Sequence, residues 1–137
     1  MAKDLFHQNV RDALEKEGWT ITHDPYILKH RGLRMEVDLG AEKMIAAERD
    51  SEKILVEVKG FLSKSILYDF HEALGQYRNY RRVLRKQENS RTLILAVPED
   101  AWNSFFAEPF GQEAIEEEGL LLLVFSPVTN TVLQWIK

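Results

Sequence analysis

The chain contains no cysteine among its 137 residues, which excludes disulfides, thiolate zinc sites and a cysteine nucleophile. It has no long apolar run either: Leu120 to Phe125 is the longest, far too short to cross a bilayer. The segment from Met1 to Gly18 is charged and amphipathic, without the apolar core of a signal peptide. A cytoplasmic protein with no membrane partner is expected. Positive charge is also short, with 18 Lys and Arg against 22 Asp and Glu and a formal net charge of −4. Non-specific DNA binders draw their affinity from phosphate neutralisation, so any grip on DNA must come from a local patch or from a partner. There is no glycine-rich phosphate loop, no Gly-x-Ser-x-Gly elbow and no His-Glu-x-x-His pair. His7, His23, His30 and His71 are scattered without a ligand spacing.

What is present fits one domain spanning 1–137, since 45% hydrophobic and 29% charged residues can build a single core. Phe6, Val10, Ala13 and Leu14 share a helical face, predicting a helix from Asp4 to Lys16 that stops at Gly18. Trp19 to His23 alternates as a strand ending at Asp24-Pro25, and a looser segment follows to Arg34. Met35 to Glu48 reads as strand interrupted near Gly40, with a hairpin turn at Arg49-Asp50-Ser51-Glu52. Lys53 to Lys59 is the clearest strand. Ser65 to Gln87 is a long helix with Ile66, Phe70, Ala73, Leu74, Tyr77, Tyr80 and Leu84 in one stripe. Arg91 to Val97 is an interior strand. Short helices follow from Pro98, broken at Pro109 and ended by Gly119. Leu120 to Phe125 and Thr131 to Ile136 form a terminal hairpin. The order implies an α/β protein, a mixed sheet flanked by helices with a C-terminal β-hairpin extension.

The strand Ile54-Leu55-Val56-Glu57-Val58-Lys59 carries the chemistry. With a period of two, Ile54, Val56 and Val58 face one side and Leu55, Glu57 and Lys59 the other. A carboxylate beside an ammonium can hold a hard cation and position a water. Mg2+ needs only one or two carboxylates, keeping waters and phosphate oxygens in its other positions. The plain alternative is a solvated strand face in which Glu57 and Lys59 merely pair. The second acid is Asp38, in the strand before. A turn at Asp50-Ser51 sets Glu57 opposite about residue 44 and leaves Asp38 about 20 Å up a straight strand. A bulge or kink at Leu39-Gly40 would have to bring it back. Glu42 lies closer in that register and is the substitute ligand. On the long helix, Arg78, Arg82 and Arg85 share a flank that can grip a phosphate backbone, or serve as a solvated face near the helix C-terminus.

From Asp4 to Val97 the chain resembles the PD-(D/E)XK nuclease superfamily, whose core is a helix, three antiparallel strands, a helix and a fourth strand. The matching positions are Asp38, Glu57 and Lys59, with Gln76, followed by Tyr77, as the helix residue near the active site. The resemblance implies a restriction-endonuclease-like core, Mg2+ or Mn2+ as cofactor and DNA as substrate. Where superfamily members carry a metal-binding Glu in the first helix, this chain has His7, which suits a transition metal better than magnesium.

The whole sequence is similar to the XisH family of fdxN-element excision controlling factors of cyanobacteria. The likeness rests on Ala2-Lys3-Asp4-Leu5-Phe6-His7, Gly18-Trp19-Thr20-Ile21-Thr22-His23-Asp24-Pro25, Val37-Asp38-Leu39-Gly40-Ala41-Glu42 and Ile45-Ala46-Ala47-Glu48. It continues through Val56-Glu57-Val58-Lys59-Gly60-Phe61, Ala73-Leu74-Gly75-Gln76-Tyr77, Leu95-Ala96-Val97-Pro98-Glu99 and Trp135-Ile136. It implies control of the excision of a DNA element during heterocyst differentiation, alongside a separate recombinase and an XisI-type partner. Three functions follow as expectations: a recombination accessory protein, a metal-dependent endonuclease, or a non-catalytic interaction module. Four consecutive leucines, Leu120 to Leu123, in a terminal hairpin predict an edge covered by this chain's own helices, by the XisI-type partner or by a second copy in a homodimer. A partner or dimer is the favoured cover, with Trp135 and Phe125 as contact residues.

Overall fold

The computed structural model describes residues 5–45 and 50–137. The elements are α1 (His7–Lys16), β1 (Thr20–His23), β2 (Tyr26–His30), β3 (Leu33–Val37), β4 (Leu39–Ile45) and β5 (Asp50–Val58). Then come α2 (Ile66–Lys86), β6 (Thr92–Pro98), α3 (Glu99–Ala101) running into a π-helical turn (Trp102–Phe106), α4 (Pro109–Glu118), β7 (Leu122–Ser126) and β8 (Thr131–Ile136). Six strands form one mixed sheet in the order β1-β4-β5-β6-β7-β8, and β2 and β3 form a separate hairpin. The pairs β5–β6 and β6–β7 are parallel, while β1–β4, β4–β5 and β7–β8 are antiparallel. Among the described residues no helix is long and apolar enough to cross a membrane.

The sheet buries both faces because β6 and β7 are apolar from Leu93 to Pro98 and from Leu122 to Phe125, as parallel strands covered on both sides must be. Leu55, Leu93, Leu95, Leu122 and Val124 pack under α2, whose buried stripe includes Phe70, Ala73, Tyr77, Val83 and Leu84. Ile54, Val56, Val58, Ile94, Ala96, Leu123 and Phe125 meet Val10 and Leu14 of α1 on the other face. The Ser65 hydroxyl caps α2 by accepting from the Tyr68 amide. Gly111 sits where α4 crosses the π-helical turn, and a Cβ there would stand 2.2 Å from the Phe105 carbonyl oxygen. Only glycine permits that approach.

Three expectations need correction. Tyr26 to Arg34 is largely a β-hairpin, turned by Arg31 and Gly32 at φ of 49° and 81°, the pair of positive dihedrals that a tight two-residue connection requires. Its strands dock on α2 through Leu28 and Val37. Asp50, Ser51 and Glu52 are not a turn, because they pair with Ile45, Met44 and Lys43; Arg49, the first residue of the expected turn, lies outside the described residues. Finally, the C-terminal hairpin is part of the sheet rather than an extension awaiting a partner. Strand β7 is buried throughout, and Phe125 is fully buried with its ring edge-on to Phe6 at 5.7 Å. Trp135 packs on Trp19 at 6.0 Å and donates to Glu17. Asn9 donates to Pro127 O and to Asn130 Oδ1, and Lys16 to Thr129 O. The chain's own α1 supplies the cover. Phe125→Ala should therefore cost about 3–5 kcal/mol in urea unfolding; a small stability change with an altered association state would restore the contact role.

Candidate functional site

The β4–β5 register builds the site. Glu42 pairs with Lys53 and Leu39 with Val56, so one further step sets Asp38 beside Glu57. The β2–β3 hairpin delivers Asp38 to that place, because Asp38 is the single residue between β3 and β4. Each acid then binds the other's strand: the Asp38 amide donates to Glu57 Oε1 at 3.2 Å, and the Val58 amide donates to Asp38 Oδ2 at 2.8 Å. Glu42 is thereby displaced from the site. It stands four residues up the ladder, paired with Lys53 at 3.8 Å, and no bulge is needed to bring Asp38 in.

Lys59 follows on the same face as Glu57. Its Nζ lies 3.8 Å from Glu57 Oε2 and 3.7 Å from Glu72 Oε1 of α2. The cavity beside it, about 140 Å³, is lined by Lys59, Gly60, Phe61, Leu62, Asp69 and Glu72. Glu72, Gln76 and Tyr80 recur every four residues and so form one row on α2. Glu72 touches Lys59 at one end of the row, and at the other the Tyr80 hydroxyl donates to Glu36 O at 3.1 Å, close to Glu57 and Asp38. Gln76 lies mid-row, and its Oε1 is buried with no hydrogen-bond partner. Tyr80 was read from the sequence only as part of the apolar stripe. Its four-residue spacing from Gln76 was the available signal that it belongs to the site.

Glu57 is 6% exposed. Burial, and then the neighbouring Asp38 carboxyl, push it from 4.5 up to about 8, against the pull of Lys59. Burial also raises Asp38, opposed by the Val58 amide, by Glu57, by His7 and by Lys59. Tyr80 is held well above an ordinary phenol, by burial first and then by Glu57 and Asp38. Two carboxyls that cannot both ionise cheaply are a site short of positive charge. A divalent cation relieves that, and the oxygen-rich donor set fits one that keeps several waters. Among the described residues no group of three or more His, Cys, Asp or Glu side chains is placed so that it could hold a metal ion.

His7, 6% exposed in the first turn of α1, is held by Asp24 at 2.7 Å, and Arg11 grips the other oxygen of Asp24 at 2.6 Å. The ring is close enough to Asp38 to lower that carboxyl's pKa electrostatically. The arginine flank is further off. At 100° per residue, Arg78, Arg82 and Arg85 lie roughly 180° around α2 from the Gln76 row. Arg78 is also neutralised by Glu118, donating at 2.8 and 2.6 Å. Arg82 donates to Asn79. The expected DNA-binding residues therefore sit together, but on the flank of α2 away from the carboxyl pair.

The raised acid has a consequence for stability. Between pH 4.5 and about 8 the folded Glu57 keeps a proton that the unfolded chain has lost, so stability falls as pH rises through that window. Glu57→Gln should be stabilising in the absence of metal, by about 1–3 kcal/mol above pH 8, with the gain vanishing below pH 4.5. Denaturant titrations across that range would check it, and a pH-independent difference would refute the shift.

Comparison with known proteins agrees with this architecture. The family model described as XisH protein matches residues 1–133. An XisH family protein from Nostoc punctiforme PCC 73102 superposes with a TM-score of 0.87 at 41% identity, over 98% of this chain and 100% of that one. An fdxN element excision controlling factor protein from Anabaena variabilis gives a TM-score of 0.86 at 41% identity, with the same coverage. No curated protein matches. With the match running from end to end in both sequence and fold, the chain belongs to the XisH family.

Proposed function

We propose that this protein is an fdxN-type excision controlling factor, an accessory to recombinational excision of a DNA element in cyanobacteria, built on a PD-(D/E)XK-like core. In this reading it binds a divalent cation, Mg2+ or Mn2+, and a DNA phosphodiester at Asp38, Glu57 and Lys59. The observation that carries it is the Asp38–Glu57 pair, half-buried and buried respectively, each acid bonded to the other's strand and flanked by Lys59. Family membership and the Anabaena variabilis relative support the excision role. Asp38 and Glu57 would hold the cation, which supplies charge neutralisation for a phosphate and a water of lowered pKa. Lys59 screens the phosphate. Glu72 and Gln76 fix the lysine and the polar wall above it.

The accessory role is favoured over independent cleavage by the arrangement of charge. Arg78 is tied to Glu118, and Arg82 and Arg85 face away from the carboxyls. The chain alone cannot seat one straight backbone on both, so a protein partner of the XisI type, or a second copy, completes the DNA-binding surface.

Two experiments test this. Thermal unfolding with Mn2+ or Mg2+ should show stabilisation of about 2.7 kcal/mol at 100 times Kd, and Glu57→Ala should abolish it. Equal melting temperatures with and without metal, in wild type and variant, would leave an interaction module. Plasmid incubated with the isolated protein and metal should remain intact; nicking that Glu57→Ala removes would establish an endonuclease. Separately, charge reversal at Arg82 and Arg85 should flatten the salt dependence of DNA binding by about one unit of log–log slope per lost phosphate contact. An unchanged slope would make this flank a solvated helix face.

A further inference from the structure

The cavity beside Lys59, about 140 Å³ in volume, is lined by neither Asp38 nor Glu57. The loop that forms its rim is built at a conformational cost. Phe61 stands at φ 54°, in the left-handed region that bulky side chains rarely occupy and that clusters at functional sites. Its ring is pinned edge-on to Phe106 at 5.4 Å. The Ser63 amide donates to Asp69 Oδ2 at 3.1 Å, and the Ser63 hydroxyl donates to Ser65 O at 3.0 Å. The rim is therefore fixed before any ligand arrives. What it presents is apolar: Leu62, on the cavity wall, is 63% exposed. Tyr68, in the first turn of α2, is 62% exposed. It precedes Glu72 by four residues, which puts it on the same row of the helix, about 6 Å along the axis. Glu72 reaches Lys59 at 3.7 Å, so Tyr68 stands one turn from that contact, at the mouth of the cavity.

A metal ion gains nothing from Leu62 or Tyr68, and a phosphate seated inside would face the carboxylates of Asp69 and Glu72. A nucleobase suits all of these groups. Its face stacks on a tyrosine and packs on a leucine, and stacking on aromatic side chains is how unpaired bases are held. Carboxylates accept from the exocyclic amine of a base such as cytosine. Asp69, whose Oδ2 already takes the Ser63 amide, offers Oδ1 for this. Lys59, at the boundary with the carboxyl pair, meets the phosphate. We propose that this cavity receives an unpaired nucleobase carrying an exocyclic amine, with Tyr68 as its stacking residue, so that the DNA engaged is single-stranded or locally opened. The inference rests on the reading of Lys59 as a DNA phosphate contact and adds to it the class of DNA. A base inside an intact duplex is stacked on both faces and paired at its edge, and enters such a recess only when extruded.

The test is fluorescence anisotropy with the full chain at low salt in Mg2+. The probes are a mixed-sequence strand, alone and annealed to its complement, and oligomers of deoxycytidine and of thymidine. Wild type should bind the single strand about tenfold or more tighter than the duplex. It should bind the deoxycytidine oligomer about fivefold tighter than the thymidine one, whose base has no amine. Tyr68→Ala should weaken single-strand binding about 5- to 100-fold and duplex binding less than about twofold, with Tyr68→Phe close to wild type. Equal affinity for single strand and duplex, or for the two oligomers, overturns the base pocket while leaving the phosphate contact. So does a Tyr68→Ala variant that binds as wild type does, or that loses duplex and single strand alike. If no oligonucleotide binds wild type, or if Lys59→Ala binds every probe unchanged, the DNA reading of the site falls and the inference falls with it. The wild-type comparisons decide independently of how any variant folds.

Discussion

The reciprocal clasp between Asp38 and Glu57 is the constraint around which the rest of the site is arranged. Each carboxyl takes a backbone N–H from the strand of the other, at the place where the regular β4–β5 ladder ends at Leu39 and Val56. The acids thus satisfy donors that the ladder no longer reaches, and in doing so are held side by side in a buried place where neither ionises freely. Structure and chemistry share the same two bonds. The neighbouring features follow from that point: Tyr80 anchors the strand that leads into Asp38, Lys59 comes two residues after Glu57, and α2 lays Glu72 and Gln76 above them.

Sequence pattern carried much of this. The period of two in Ile54 to Lys59 correctly placed Glu57 and Lys59 on the face opposite Ile54, Val56 and Val58, and the apolar stripe correctly located α2. The register of Asp38 was not legible, for a physical reason. Strand pairing depends on where the chain reverses, and Arg49-Asp50-Ser51-Glu52 offered polar residues typical of a turn while the strand in fact begins at Asp50. A shift of three residues at the reversal moves the cross-strand partner by six, enough to promote Glu42 over Asp38. The Arg31-Gly32 hairpin was missed because arginine seldom adopts positive φ, so the pair does not advertise a two-residue turn. The hairpin's isolation looked like exposure because a sequence cannot state that α1 returns to cover β7 and β8.

Charge tells a similar story. Three arginines at helical spacing suggest a phosphate-binding flank, yet the distant Glu118 takes Arg78 out of play. Cross-chain neutralisation of this kind has no local signature. The contrast with the carboxyl pair is instructive: there, a local and conspicuous motif is reinforced by tertiary structure, whereas here a local motif is partly cancelled by it.

The fastening of α1 to the C-terminal hairpin also bears on the order in which the protein assembles. Asn9 bonds to Asn130 across 121 residues, and Trp135 to Glu17 across 118. Contacts of such sequence separation raise the contact order, and the entropy of closing so large a loop is lost before they return any enthalpy. The β4–β5 hairpin and α2 can form from local contacts, so the carboxyl clasp belongs to an early nucleus. The sheet face packed by α1 is locked only when β8 arrives. The carboxyl clasp and the sheet face under α1 are therefore completed at different stages of folding, with the clasp first.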